Sequence, residues 1–208
     1  MSHWFWKRCF DMNAKRLFAA LVCWLAFSAL APADAHLIGA SGAGFAEGLI
    51  HPFSGLDHLL AMMAVGFWAA QIGGRAVLLL PIIFPTMMAC GALAGGTGLP
   101  LPGVEFGIAM SVVVLGLLVA FGVRPPLMAS ASLVGLFALL HGHSHGTEMP
   151  LAASPVGYAL GFLGATLLLH MIGIVAGLTM KRPSAPYLSR LAGSGTAAAG
   201  LVLVAQLV

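Results

Sequence analysis

The chain has 208 residues, of which 60% are hydrophobic and only 7% are charged, whereas soluble domains carry about 25% charged residues. This composition excludes an ordinary soluble domain and indicates an integral membrane protein embedded in a lipid bilayer. A formal net charge of +3 in such a chain reflects basic loops beside the membrane, and it gives no indication of nucleic-acid binding.

Residues 1–35 are predicted to be a secretory signal peptide, whose three parts lie within residues 12–35. A Lys-Arg pair at 15–16 precedes an apolar core over 17–30, and an Ala-Asp-Ala sequence ends at residue 35. The apolar core is shorter than the ~20 residues that a membrane span needs. We therefore expect cleavage after Ala35, which leaves residues 36–208 as the mature transmembrane domain. An uncleaved seventh helix is the alternative.

Six apolar stretches follow this leader, and each is long enough, or nearly so, to cross the ~30 Å hydrocarbon layer as a helix. They cover residues 51–70, 76–94, 104–122, 127–141, 155–180 and 190–207. The glycine-rich segment 36–50 is expected to form a short external segment before the first span. The predicted fold is an all-α integral membrane protein with six transmembrane helices after an N-terminal signal peptide.

The basic residues in the predicted loops give the orientation of the chain. Every lysine and arginine after residue 35 falls in the first, third or fifth loop: Arg75, Arg124, Lys181, Arg182 and Arg190. Basic loops collect on the cytoplasmic side of a membrane. We therefore expect a multi-pass protein of the bacterial inner membrane with both mature termini in the periplasm.

The sequence HPFSGLDHLLAMM at 51–63 places ionisable groups at the head of the first span, where each costs roughly 2.5 to 3.5 kcal/mol to insert. Pro52 suits the first turn of a helix, so His51 is expected at or beside the N-cap. On a continuous helix, His51 and His58 would share one face, with Asp57 adjoining it. Imidazole and carboxylate groups suit a borderline divalent transition metal, so these three residues are candidate metal ligands.

A second polar group, HGHSHGTE at 141–148, comes from the end of the fourth span and the loop after it. If the helix continues, His141, His145 and Glu148 share a face while His143 points elsewhere. The predicted topology puts this group on the same external side as the first, so the two groups could converge. Neither group resembles a closed structural zinc site, and exchangeable ligands suit an ion that must leave again.

Three further histidines are weaker candidate ligands. His36 would become the mature N-terminus after cleavage, where its amine and imidazole could chelate a metal together. His143 is either an added ligand or an ordinary loop histidine. His170, near the middle of the fifth span, is either a ligand or a hydrogen-bonded packing residue, and both interpretations stay open.

Together these motifs resemble the HupE/UreJ family of nickel permeases, which occur with hydrogenase and urease gene sets. The resemblance covers nearly all of the mature chain, through HPFSGLDHLLAMMAVGFWAA at 51–70, VEFGIAMSVVVLG at 104–116, HGHSHGTEMP at 141–150 and YALGFLGATLLLHMIG at 158–173. It implies a cleaved signal, six spans and nickel import. It also implies metal roles for a set of six residues, namely His51, Asp57, His58, His141, His145 and Glu148.

Two details depart from related patterns. Five residues separate His51 from Asp57, one more than in the His-x4-Asp-His signature of the larger nickel/cobalt transporter family, so a different geometry is expected. His143 occupies a position that family members often fill with a small residue.

We expect a permease, not an enzyme, that imports a divalent cation and holds no permanent cofactor. The resemblance favours Ni²⁺ as the cargo, while the ligand chemistry alone also admits Co²⁺ or Zn²⁺. Two alternatives stay open. An intramembrane metalloenzyme could use two histidines and an acid to activate water, although the sequence contains no H-E-x-x-H motif. A metal-binding accessory protein for hydrogenase or urease maturation would hold the ion without carrying it.

Overall fold

The computed structural model describes residues 40–148, 154–180 and 186–208, and these ranges are helical apart from short connections and the last few residues. The described residues form seven helices: α1 (Ala40–Ser54), α2 (Leu56–Ile72), α3 (Ala76–Gly96), α4 (Val104–Phe121), α5 (Leu127–Glu148), α6 (Pro155–Met180) and α7 (Pro186–Ala205). The predicted signal peptide, its cleavage site and His36 lie outside the described residues.

Length and apolar composition allow six membrane crossings in the described part of the chain. Helices α3 to α7 each meet these criteria, and α1 and α2 meet them together as one span that is bent by 81°. Large apolar side chains such as Leu78, Leu93, Phe121 and Met128 are exposed on the bundle surface, as expected of a surface that faces lipid. The predicted all-α membrane fold is confirmed.

The start of the first span was predicted wrongly. Helix α1 begins at Ala40, within the segment expected to be external, and Pro52 lies inside this helix and not at its start. His51 therefore belongs to the last turn of α1, while Gly55 is the N-cap of α2. The bend between the two helices means that His51 and His58 do not share the face of one continuous helix.

Glycine explains why the α1 helix was missed. Its glycines suggested a loop because glycine lowers helix propensity in water. Here Gly44 approaches the backbone of Ser154, and Gly48 approaches the backbone of Tyr158 so closely that a methyl group would collide with it. Close backbone approach is the usual role of glycine in membrane helices, so the same residues stabilise α1 against α6.

The fourth and sixth spans also differ in their bounds. Helix α5 continues seven residues beyond the predicted end at 141, so the second histidine group is helical and not partly a loop. Because the helix continues through these residues, His141 and His145 lie on one face of it, as predicted. Helix α7 begins at Pro186, four residues before the predicted start.

Three sets of helices account for most of the packing: α3 with α5, α4 with α7, and α6 with both α1 and α2. Backbones touch at glycines in each set. A methyl group at Gly142 of α5 would collide with the Met88 carbonyl of α3, and one at Gly173 of α6 would collide with the Met63 carbonyl of α2. These contacts fix the helices that carry the candidate ligands.

The two ends of the bundle carry different chemistry. Trp68 Nε1 donates to the Val123 carbonyl over 2.8 Å, which joins the C-terminal ends of α2 and α4. Arg75 and Arg124 lie directly after these two helices. The histidines at the start of α2 and at the end of α5 lie at the opposite end of the bundle, because α5 begins beside Arg124 and runs away from it.

Candidate metal centre

The Asp57 carboxylate and the His58 imidazole form a hydrogen-bonded pair at the start of α2. Asp57 Oδ1 accepts from His58 Nδ1 over 2.7 Å and from the His58 backbone N–H over 2.8 Å. A carboxylate only accepts, so Nδ1 carries the proton and a neutral ring keeps its lone pair on Nε2. That Nε2 is buried without a hydrogen-bond partner among the described residues, which is the state of an imidazole oriented to bind a metal.

Helix α5 presents a second oriented imidazole. His141 is completely buried, and its Nδ1 donates to the Phe137 carbonyl over 2.8 Å. A carbonyl also only accepts, so the lone pair of a neutral His141 lies on Nε2. One turn later His145 is buried, and neither of its ring nitrogens has a partner in the described structure.

Four imidazole rings from three helices converge at this end of the bundle. The ring centroid of His145 lies 4.4 Å from that of His58 and 4.8 Å from that of His51, and the centroids of His58 and His141 are 5.0 Å apart. His51 and His58 lie 6.2 Å apart. The convergence expected between the two polar groups is therefore present, although α1 and α2 supply it across a bend and not along one helix.

Two aromatic side chains of α6 flank the histidines. The ring centroid of Phe162 lies 4.3 Å from that of His145 and 6.0 Å from that of His51. Tyr158, one turn earlier, lies 5.9 Å from His51. These rings were not singled out from the sequence. A signal was present in the sequence: Tyr158 and Phe162 are four residues apart, in the same predicted span as His170, and so share a helix face with it.

The ring positions do not yet form a coordination sphere. In the described part of the chain, no group of three or more His, Cys, Asp or Glu side chains could hold a metal ion as it stands. A metal–imidazole bond is ~2.0–2.1 Å long, so the ring nitrogens must turn towards a common point before they can share one ion. The cluster has the donor types of a metal site, and small ring movements would be needed to close it.

The other predicted ligands have different positions. His143 points away from the cluster, as expected, and its Nε2 donates to the Leu99 carbonyl over 2.7 Å. It lines a separate cavity of about 310 Å³ together with Glu105 and Thr147. Glu148 is the last residue of α5, but its side chain lies outside the described part of the structure.

His170 lies deeper in the bundle and does not contact the cluster rings directly. It is fully buried, and its ring centroid is 5.1 Å from that of Phe84. Phe84 also lies 5.8 Å from His141, so this phenylalanine contacts both histidines. Phe84 was not singled out from the sequence, because it lies in an apolar run between two prolines.

The chain is similar to known proteins over most of its length. The chain matches the family described as HupE / UreJ protein over residues 23–203. It is 47% identical to Protein HupE of Rhizobium leguminosarum bv. viciae over 174 residues, which cover 83% of this chain and 91% of that protein. No solved structure gives a significant match.

Proposed function

Because the chain belongs to the HupE/UreJ family, we propose that it is a permease that imports a divalent transition-metal ion, Ni²⁺, from the periplasm into the cytoplasm. The family is associated with nickel and cobalt uptake for hydrogenase or urease. The observation that carries the proposal is the convergence of four histidine rings, from α1, α2 and α5, at one end of a membrane bundle. Three of these rings are buried and that of His51 is half-buried.

The proposed outer site comprises His51, Asp57, His58, His141, His145 and Glu148. Within it, His58 and His141 have defined roles, because each donates through Nδ1 and offers Nε2 as a ligand. Asp57 acts through His58: its carboxylate fixes the tautomer and the orientation of the ring. Imidazole nitrogen suits nickel, cobalt, copper and zinc alike, so the choice of Ni²⁺ rests on the family.

The orientation of the rings in the cluster supports transport over permanent storage of the ion. The ring centroids lie 4.4–5.0 Å apart, and the rings must turn before their nitrogens can point at one ion. Capture thus requires side-chain movement, and release reverses it. A closed four-ligand structural site would hold the ion too tightly for rapid release.

The arginine positions support the direction of transport. Arg75 and Arg124 lie at the end of the bundle opposite the histidine cluster, and the positive-inside rule assigns that end to the cytoplasm. The cluster then faces the periplasm. An inside-negative potential contributes roughly 4.6 kcal/mol per 100 mV for a doubly charged ion, at ~2.3 per charge, so inward movement needs no nucleotide hydrolysis.

Competitive uptake into cells tests both the substrate and the site. Cells that express the parent chain are expected to accumulate labelled Ni²⁺, with unlabelled Ni²⁺ competing better than Co²⁺ or Zn²⁺. His58→Ala should abolish uptake, while Thr86→Ala is a control, because Thr86 is exposed on α3 and bonds only within its own helix. Undiminished uptake by His58→Ala contradicts the site, and stronger competition by Zn²⁺ contradicts the substrate.

Counterflow in proteoliposomes separates a permease from an accessory protein that only binds metal. Vesicles loaded with unlabelled Ni²⁺ and containing the full chain should transiently accumulate labelled Ni²⁺ from outside. A binding protein would show saturation at the stoichiometry of its sites, with no dependence on the internal Ni²⁺. That result would exclude the permease.

A further inference from the structure

Helix α6 carries a second set of buried polar atoms that the outer site does not use. His170 and Thr166 are both completely buried. Neither ring nitrogen of His170 nor the hydroxyl of Thr166 has a hydrogen-bond partner among the described residues. Buried polar side chains are nearly always bonded, and a helical threonine readily bonds a carbonyl one turn earlier. Three unpartnered atoms on adjoining turns therefore indicate a ligand that the protein itself does not supply.

The helix register connects this pair to the histidine cluster. Tyr158, Phe162, Thr166 and His170 follow one another at intervals of four residues, so neighbouring members lie one turn apart along α6. The first two contact rings of the cluster. At ~1.5 Å per residue, His170 lies about 12 Å farther along the helix than Phe162.

Contacts with α2 independently indicate the same distance between His170 and the histidine cluster. Gly66 of α2 lies against the backbone of His170. It is about 12 Å past His58 along its own helix, at ~1.5 Å per residue. The two helices run in the same direction, because Gly173 of α6 lies against Met63 and Phe67, whereas Gly177, one turn later, lies against Phe67 and Ala70. His170 therefore lies below the cluster, towards the arginine-bearing end of the bundle.

One aromatic ring bridges the two levels. Phe84 is fully buried, and its ring contacts that of His141 above and that of His170 below, with centroid distances of 5.8 and 5.1 Å. An ion that passes from one histidine to the other would have to displace this ring. The contact links the outer cluster to the deeper pair through buried side chains only.

We propose that His170 and Thr166 form an inner binding station for the divalent ion, and this inference rests on the transport function proposed above. A neutral imidazole and a hydroxyl are donors for a partly hydrated transition-metal ion. The station offers fewer protein ligands than the outer cluster, so it binds the ion more weakly. Weaker binding lets the ion continue towards the cytoplasm.

The test measures binding and transport separately in the full chain reconstituted in lipid, with Ni²⁺ as the probe. His170→Leu is expected to bind Ni²⁺ at the outer cluster with parent affinity. Its initial uptake rate should fall at least about tenfold, the effect of losing one good buried polar contact. Thr166→Val, which preserves the side-chain shape, should reduce the rate by a smaller factor.

Ser111→Ala is the matched control, because Ser111 is also fully buried but its hydroxyl already bonds the Ile108 carbonyl over 2.6 Å. This variant should transport at the parent rate. A parent-like rate in His170→Leu overturns the inner station and leaves the proposed function intact, since His58→Ala must still lose uptake. Uptake retained by His58→Ala would instead contradict the proposed function itself.

A cadmium experiment keeps the proposal testable if His170→Leu does not fold. His170→Cys is made in a chain whose three native cysteines are replaced by alanine. Thiolates are soft ligands that favour soft cations, so Cd²⁺ should block uptake by this variant at concentrations that leave the cysteine-free parent active. Equal sensitivity of the two chains to Cd²⁺ overturns the inner station.

Discussion

The hydrogen bond between Asp57 and His58 is the smallest unit on which the proposed capture of the ion depends. It fixes the tautomer of His58 and leaves the lone pair on Nε2, which has no hydrogen-bond partner among the described residues. Loss of a side chain that hydrogen-bonds a metal-binding histidine typically weakens metal affinity by about 10–100-fold. We expect Asp57→Ala to weaken equilibrium binding of labelled Ni²⁺ by about that factor. Asp57→Asn, which retains an acceptor oxygen but no charge, should lie between this variant and the parent. Parent affinity in Asp57→Ala would contradict the orienting role.

Gly55 supports this pair by having no side chain. A methyl group at Gly55 would lie 2.7 Å from Asp57 Oδ1 and 3.0 Å from His58 Nδ1. Gly55→Ala should therefore displace the pair and lower Ni²⁺ affinity, while thermal stability changes little because only mobile side-chain ends must move. Gly195→Ala is the matched control, since a methyl group there meets nothing within 4 Å. Equal Ni²⁺ affinity in the two variants would show that Gly55 has no role at the site.

At the scale of helices, the close contact of α5 with α3 determines where His141 and His145 lie. Gly142 packs directly on the Met88 carbonyl, so Gly142→Ala must push the two backbones apart. Overpacking of this kind costs about 1–3 kcal/mol. We expect a lower unfolding temperature in detergent and weaker Ni²⁺ binding together. A variant as stable as Gly195→Ala would show that α3 and α5 are not packed as described.

Hydropathy predicted the helices better than it predicted their ends. Apolar length alone located the six spans, because a membrane helix must satisfy its backbone internally. The bend at Gly55 was missed because Pro52 was interpreted as a helix start. Gly55 followed by Asp57 in the first turn is also a start signal, and it was the correct one. Helical periodicity relates residues only within one continuous helix. The proximity of His51 to His58 across the bend could therefore be seen only in the structure.

The histidines that converge in the cluster could be predicted from the sequence, but their ring orientations could not. His141 and His145 followed from helical spacing once α5 continued through them. That His141 bonds the Phe137 carbonyl, and thereby offers Nε2, depends on a ring orientation that spacing does not specify. Contacts between different helices, such as Phe84 with His170, depend on packing and have no signal in one sequence.

For the whole molecule, the proposed function requires the histidine end of the bundle to face the periplasm. Cysteines introduced into the full chain at Leu99 and Val123, which lie between helices at opposite ends of the bundle, test this orientation. A membrane-impermeant thiol reagent added to intact spheroplasts should label the cysteine at 99 and spare the cysteine at 123. The opposite labelling pattern would mean that the histidine end faces the cytoplasm, and it would contradict the proposed direction of transport.

The most direct measurement of the central claim is X-ray absorption at the nickel edge of the purified full chain loaded with one equivalent of Ni²⁺. The proposed outer site predicts imidazole scattering from at least two histidines, with Ni–N distances of about 2.1 Å as for other imidazole–metal bonds. The double variant His58→Ala/His141→Ala should lose most of this signal. A bound Ni²⁺ without imidazole ligands, or an unchanged spectrum in the double variant, would contradict the claim that these histidines capture the ion.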